Sequence, residues 1–414
     1  MAARVVFTGG RVFDGSGSPA VPADVVVRGD RIESVGAGTE LTADDHVVDC
    51  RGATVMPGLV ESHCHLTFPS AVGHLAPSFN PPVDVSFFHH LPGPDEHLAL
   101  AERNARILLD HGFTSAYSAG SLTPVPTEVR LRDRIAAGLA AGPRLRAASF
   151  ERDNNPVRLG PNGPAPKETG PDAVRAFVRE QAELGFDSVK LLMSNDDVFF
   201  EGGSMVTQYS AEEANAAGEQ ARESGVWLNC HAQAPESIKL AVRAGFRSIY
   251  HCSYADPEAI DLLEAHKDSI FLSPAVGIMW ANVHEGAEFG IDAEKTGSAK
   301  SLAAMEQLYP ELRKRGLRVL PGGDYGFPNN PIGRNARDLE LFVRLFGYSP
   351  AEALRATTFH GGQVMDLPVG LLTEGYFADV LVVRGDPTSD VTLLQDPANL
   401  DVIMQGGRFH KASA

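Results

Sequence analysis

The stretch Val55-Met-Pro-Gly-Leu-Val-Glu-Ser-His-Cys-His65 decides how the chain is read. It starts as an apolar run of strand length and ends on two histidines one residue apart. In an extended strand residues two apart share a face, so His63 and His65 aim together while Cys64 turns away. Short apolar runs of this kind, alternating with helical stretches, are the signature of repeated βα units and a parallel sheet.

Working outward, that texture recurs in eight apolar runs. They are Gly58-Leu-Val-Glu-Ser-His63, Phe113-Thr-Ser-Ala-Tyr117, Leu145-Arg-Ala-Ala-Ser149, Ser188-Val-Lys-Leu-Leu-Met193, Val226-Trp-Leu-Asn-Cys-His231, Ser248-Ile-Tyr-His251, Ile270-Phe-Leu-Ser273 and Leu317-Arg-Val-Leu320. Helical stretches are predicted over 95–110, 171–184, 210–224, 256–265, 298–315 and 335–346, with Ser210 and Asp256-Pro257 as opening caps. Eight such units predict an α/β chain built on a (β/α)8 TIM-like barrel over 57–363. The segments 67–94, 152–167, 194–208, 276–297 and 325–334 read as loops over the face where barrels keep their chemistry.

The two chain ends have a different texture, short strands punctuated by glycine. Val5-Val-Phe7, Asp24-Val-Val-Val-Arg28 and Arg31-Ile-Glu-Ser-Val35 find their counterpart in Ala378-Asp-Val-Leu-Val-Val383 and Asp401-Val-Ile-Met404. Gly406-Gly-Arg408 echoes Gly9-Gly-Arg11, so residues 1–56 and 364–414 are expected to form one composite β-sandwich domain.

Composition narrows the function classes. With 43% hydrophobic and 21% charged residues, the 414-residue chain has globular usage, neither fibrous nor disordered. A formal charge of -17 and the lack of a Lys/Arg cluster argue against nucleic acid. No run approaches the roughly 18 apolar residues of a membrane span, and the first ten residues lack a signal-peptide core. Four cysteines are too few for a disulfide scaffold, and free thiols suit a cytoplasmic protein. A homo-oligomer is expected only because symmetric dimers are common.

Chemistry concentrates at the ends of the predicted strands. His63 and His65 end the first, His231 the fifth and His251 the sixth, and Asp324 lies just beyond the eighth. A His-X-His pair alone is as often a packing accident as a site; four histidines and an aspartate all at strand ends are not. Imidazoles with a carboxylate suit Zn, Mn, Co, Ni or Fe and leave positions open for water. Lys190 lies within an apolar run, where a charged amine is costly to bury unless paired or chemically altered. A neutral lysine amine can add carbon dioxide and become an anionic carbamate able to bridge two cations.

The ordered set His63, His65, Lys190, His231, His251 and Asp324 resembles the amidohydrolase superfamily over essentially the whole chain. Gly112-Phe-Thr-Ser, Ala241-Val-Arg-Ala-Gly245, Gly322-Gly-Asp324, Glu352-Ala-Leu-Arg-Ala-Thr357 and Gly375-Tyr-Phe-Ala-Asp-Val380 are similar to that family as well. The lysine on the fourth strand resembles the binuclear branch that includes prolidase-like dipeptidases and related amide and urea hydrolases. The resemblance implies two divalent ions, zinc first, with His63, His65 and Asp324 on one, His231 and His251 on the other and carbamylated Lys190 between them. It further implies attack of a bridging hydroxide on an amide, urea or carbamate carbonyl, with Asp324 as the catalytic base and then acid. Deaminases of the superfamily usually carry a glutamate three residues after the fifth-strand histidine; here His231 is followed by Ala232-Gln-Ala234, with Glu236 further on, which disfavours deamination.

Substrate contacts are expected from the loops, for a small molecule of aryl or peptide-like character. Phe68, His74, Phe79, Phe87, Phe88, His89 and His90 crowd the first loop, and Trp280 lies in another. Phe88 and Trp280 are candidates for an apolar wall, Tyr117 and Tyr209 for an oxyanion donor, Arg334 for a carboxylate clamp. Ring opening of a lactam or cyclic imide, a mononuclear deaminase and a catalytically silent scaffold are the alternative readings.

Overall fold

A computed structural model describes residues 4–75, 93–121, 123, 125–154, 168–198 and 200–412. It is a mixed α/β fold in which the predicted apolar runs become buried parallel strands. Leu59–Cys64 pairs with Phe113–Ser118, which pairs with Arg144–Arg146. A second parallel sheet runs Arg152–Asp153, Ser188–Leu192, Trp227–Ala232, Ser248–His251, Phe271–Ser273. Leu59–Cys64, Phe113–Ser118 and Ser188–Leu192 are buried at every position, as strands covered on both faces must be.

Single parallel bridges connect these sheets. Ala148 bridges Ser188, Leu272 bridges Val319 and Cys64 bridges Tyr325. The eighth predicted run, Leu317 to Leu320, therefore contributes a bridge and no regular ladder.

Helices follow the strands and cover them. Pro94–Asp110, Pro171–Glu183, Ala211–Ser224, Pro257–Ala265, Ser298–Lys314 and Arg337–Phe346 match the predicted stretches within two residues at either end. Ser210 forms a full capping box with Glu213, and the Asp256 carboxylate accepts the Ala259 N–H at 2.8 Å. Pro235–Ala244 is the helix that opens beside Glu236, and further helices that were not expected include Thr127–Ala136 and, inside a segment read as a loop, Val276–His284. That helix opens on a left-handed Ala275 with no side-chain cap and is apolar nearly throughout, so it carries neither a start signal nor a polar face.

Strands from both chain ends pair with one another. One sheet orders Arg408–Ala412, Leu400–Gln405, Val380–Arg384, Ala53–Pro57, Arg11–Val12, Val21–Pro22, joining both ends of the chain. A second holds Arg31–Gly36, Asp24–Arg28, Arg4–Thr8 and His46–Asp49. Phe7, Val25, Ile32, Val55, Val380, Val402 and Met404 bury together in one cluster drawn from both sheets. Each such side chain removed from water contributes about 1.5–3 kcal/mol. No helix among the described residues is long and apolar enough to cross a membrane.

Candidate metal centre

The strand Leu59–Cys64 delivers His63 at its end, and His65 follows one residue beyond. His65 N–H donates to Tyr325 O at 2.8 Å, and Asp324 N–H donates to His63 O at 2.9 Å, so the two segments hold each other in register. The consequence is a tight group. One ligand atom from each of His63, His65 and Asp324 lies within 4.8 Å of the others, with Asp324 Oδ1 2.8 Å from His65 Nε2 and 3.5 Å from His63 Nε2. His65 Nδ1 faces Gly120 O at 2.9 Å, the outward hydrogen bond that orients an imidazole whose other nitrogen serves a metal.

His231 and His251 lie alongside, their ring centroids 4.3 Å apart, and His251 stands edge-on to His63 at 5.3 Å. Lys190 points inward and is only 2% exposed. Its Nζ donates to Ala119 O at 2.7 Å, lies 4.0 Å from Glu151 Oε1 and sits 4.6 Å over the Tyr250 ring. All six residues singled out at predicted strand ends or on the fourth run thus converge on one buried centre.

The electrostatics suit cations. Burial, aided by neighbouring Lys190 and other histidines, drives His63 and His231 well below the usual imidazole range and His251 down to about 4. These rings are neutral at pH 7, the form that ligates. For His65 burial is outweighed by Asp324 and Glu151, which raise it. Burial alone would raise Asp324, yet the surrounding His63, His65 and His251 hold its carboxyl well below the usual range. His63 Nδ1 and His251 Nδ1 are buried with no hydrogen-bond partner.

Two site residues sit in left-handed backbone that side chains rarely adopt, His251 at φ 70° and Asp324 at φ 61°. Such strain, about 1–3 kcal/mol each, persists only where surroundings over-determine it. Tyr309 O–H fixes His251 O at 2.6 Å, and Asn330 Nδ2 holds Gly323 O and Asp324 O at 2.6 and 3.0 Å.

The remaining sequence candidates that the structure describes lie among the following neighbours. Tyr209 O–H donates to Arg152 O at 2.9 Å, and burial pushes Tyr117 up to about 12 within a cluster of Val60, Phe271, Val364 and Met365. Both arms of Arg334 are held by Glu285 at 2.7 and 2.8 Å. The Trp280 ring lies 5.0 Å under the Arg337 guanidinium. Glu236 reaches Lys239 at 3.3 Å on its own helix. Phe88, with Phe79, Phe87, His89 and His90, lies outside the described residues.

Sequence reasoning missed the buried polar groups behind the centre. Glu61 accepts His63 N–H at 2.8 Å and Asn335 Nδ2 at 2.7 Å, and burial raises it to about 8. Glu151 Oε1 approaches His65 Nδ1 at 3.3 Å. Asp196 Oδ2 lies 3.7 Å from His231 Nε2 and accepts from Gln233 at 3.0 Å. Glu61 had a signal, a carboxylate inside an apolar run; the others sit in no motif.

The model of the Amidohydrolase family matches residues 54–409. The chain belongs to that family. Among curated relatives of this amidohydrolase, the ochratoxinase of Aspergillus niger is 28% identical over 256 residues, 60% of this chain and 51% of that one. The chain therefore spans about half the length of these first relatives. Imidazolonepropionase of Rubrobacter xylanophilus is 28% identical over 390 residues, 87% of this chain and 84% of its own. A solved Xaa-Pro dipeptidase with bound methionine shares the fold at TM-score 0.84 and 23% identity, covering 99% of this chain and 100% of that one. The crystal structure of the A. niger ochratoxinase does so at TM-score 0.83 and 21% identity, covering 100% and 96%.

The family implies a divalent metal, and the residues of this amidohydrolase fit one. His63, His65 and Asp324 supply two imidazoles and an ionised carboxylate within ligating reach of a common point.

Proposed function

We propose that this chain is a metal-dependent hydrolase of a carbon–nitrogen bond in an amide, urea or carbamate, taking aryl or peptide-like small molecules. The observation that carries the reading is the convergence of His63, His65, Asp324, His231, His251 and Lys190 in one buried centre. His63, His65 and Asp324 would hold one divalent ion, zinc being the first choice, and His231 with His251 a second. Lys190, as a carbamate formed with carbon dioxide, would lie between them.

Bound divalent ions supply Lewis acidity, polarising a carbonyl and making water nucleophilic near neutral pH. This chain's own contribution is proton handling and exclusion of water. The Asp324 carboxylate, held ionised by its histidines, takes the proton of the attacking water and returns it to the leaving nitrogen. Phe68, stacked on His65 at 4.1 Å, and Phe327 beside it at 5.1 Å wall one side with apolar surface, which suits an aryl group.

For the fold, we infer that the bridges at Ala148, Leu272 and Cys64 close the parallel strands into an eight-stranded barrel over 57–363, with the sheets of 1–56 and 364–414 as a β-sandwich domain. The names ochratoxinase, Xaa-Pro dipeptidase and prolidase among the relatives and structural neighbours support an amide substrate. The imidazolone in the name of a relative matching most of the chain keeps ring opening of a cyclic amide as a second reading.

The test is product analysis on protein reconstituted with zinc, using acyl-proline dipeptides, N-aroyl amino acids, aryl carbamates, phenylureas and cyclic imides. A released amine, with a new carboxylate from the amides or carbon dioxide from the carbamates and ureas, supports the first reading, and a new carboxylate without a second product supports ring opening. Ammonia released from a substrate other than a urea would return deamination, and no turnover on any class would contradict the hydrolase assignment.

A further inference from the structure

Asp338 is fully buried one residue into the helix Arg337–Phe346, and the chemistry above makes no use of it. Its carboxylate accepts the Gly322 N–H at 3.0 Å and the Tyr325 O–H at 2.6 Å, residues on either side of Asp324. Two glycines clear its cradle. A Cβ at Gly323 would stand 2.5 Å from Asp338 Oδ1, and one at Gly277 would stand 2.6 Å from it and 2.9 Å from Tyr325 Oη. Neither distance is tolerable for carbon, so any side chain at these positions would expel the carboxylate.

The preceding residue completes the brace. Arg337 donates to Asn330 Oδ1, and Asn330 Nδ2 in turn donates to Gly323 O and Asp324 O. The first turn of one helix thereby grips the segment 322–325 at its backbone N–H, two carbonyls and one phenol. Between those grips lies Asp324 in left-handed backbone, the conformation from which its carboxylate meets His63 and His65.

We propose that Asp338 is a positioning residue: it holds the strained Gly322–Tyr325 turn so that the Asp324 carboxylate is preset toward His63 and His65. This rests on the metal reading of that centre. A buried, ionisable group that touches neither Asp324 itself nor the histidines is otherwise expensive to keep, since an amide or apolar side chain would fill the space with less desolvation. Its geometry explains its presence: one oxygen accepts the amide N–H and the other the phenol, an arrangement that an amide side chain, with a single oxygen, does not reproduce in the same position.

The experiment compares Asp338→Asn, Tyr325→Phe and, as a control, Asp379→Asn. Asp379 is also buried and also accepts a backbone N–H, from Gly406 at 2.8 Å, but it stands just before Val380–Arg384 and its carboxylate otherwise pairs with Arg144 at 2.6 Å. Each apo protein is titrated with Co2+, whose visible absorption reports ligand geometry, and kcat and KM are measured on the zinc form with thermal unfolding recorded beside them. Asp338→Asn is expected to weaken Co2+ binding and lower kcat about 10- to 100-fold with KM little changed, and to alter the cobalt spectrum. Tyr325→Phe, which removes one of the two bonds, should shift the same quantities less. Asp379→Asn should lower Tm and leave spectrum and kcat alone. Asp338→Asn or Tyr325→Phe with an unaltered spectrum and kcat, or a loss matched by Asp379→Asn at equal Tm, would overturn the inference. A wild-type chain that takes up no Co2+ would overturn the metal reading beneath it as well.

Discussion

The two halves of the centre are built differently. His63, His65 and Asp324 touch one another, and the backbone of one segment is bonded to the other, so this half is assembled by the fold alone. The half made of His231, His251 and Lys190 has its carboxylates at longer range, Asp196 3.7 Å from His231 Nε2 and Glu151 4.0 Å from the Lys190 amine; His231 Nε2 faces Asn195 O at 3.3 Å, and the amine rests on Ala119 O. A site with a carboxylate in direct contact on one side and only more distant ones on the other is electrostatically lopsided. Were two dications held here, the proposed carbamate on Lys190 would add an anion on the poorer side and lessen their repulsion.

The largest effect that would break this comparison is at Asp324. Asp324→Asn is predicted to lower kcat about 10²- to 10⁴-fold while much of the metal stays bound, measured by steady-state kinetics beside metal analysis. Unchanged turnover would remove the anionic half from the chemistry.

Gly120 probes the seam between the halves. It adopts φ 123°, its carbonyl faces His65, and a Cβ there would meet Glu151 Cγ at 2.8 Å and Lys190 Cγ at 3.1 Å. Gly120→Ala is predicted to destabilise the chain by about 1–3 kcal/mol and to reduce metal content, read by thermal unfolding and metal analysis.

Glu128 sharpens the comparison at the floor below both halves. It accepts Ser118 O–H at 2.7 Å and Ala148 N–H at 3.0 Å, and burial raises it from 4.5 to about 7. A carboxyl whose folded value is raised favours the fold most when protonated. Its contribution is complete below about pH 4.5 and is lost as pH rises toward about 7. Glu128→Gln is therefore predicted to flatten the decline of Tm between pH 5 and pH 8 by about a few degrees; an identical slope in both proteins would contradict the shift. The smallest effect is at Tyr209, whose hydroxyl is held by Arg152 O. Tyr209→Phe should leave kcat within about twofold, and a large loss would restore the oxyanion role.

Much of this could be read from residues in order. Period-two alternation put His63 and His65 on one face, capping residues at 210 and 256 set helix starts, and an amine within Val189-Lys-Leu-Leu demanded a special environment. The same argument applied to Glu61 would have found a buried carboxylate beside His63. What stayed hidden depends on side chains meeting from distant segments. Asp338 and Asn330 are ordinary helix and loop residues until the fold brings them to Asp324, and Tyr209 looks like a donor until its hydroxyl finds a backbone carbonyl. The helix Val276–His284 was invisible for a local reason, having neither a cap nor a polar face.

The most direct test of the two-half account is metal content per chain for wild type and Lys190→Ala, purified without chelator, with intact mass under mild conditions for the labile carbamate. The account predicts near two metals in the wild type, falling toward one in Lys190→Ala, with the carbamate mass lost. About one metal in both proteins, and no carbamate mass, would contradict it and leave Lys190 a structural residue beside a mononuclear centre.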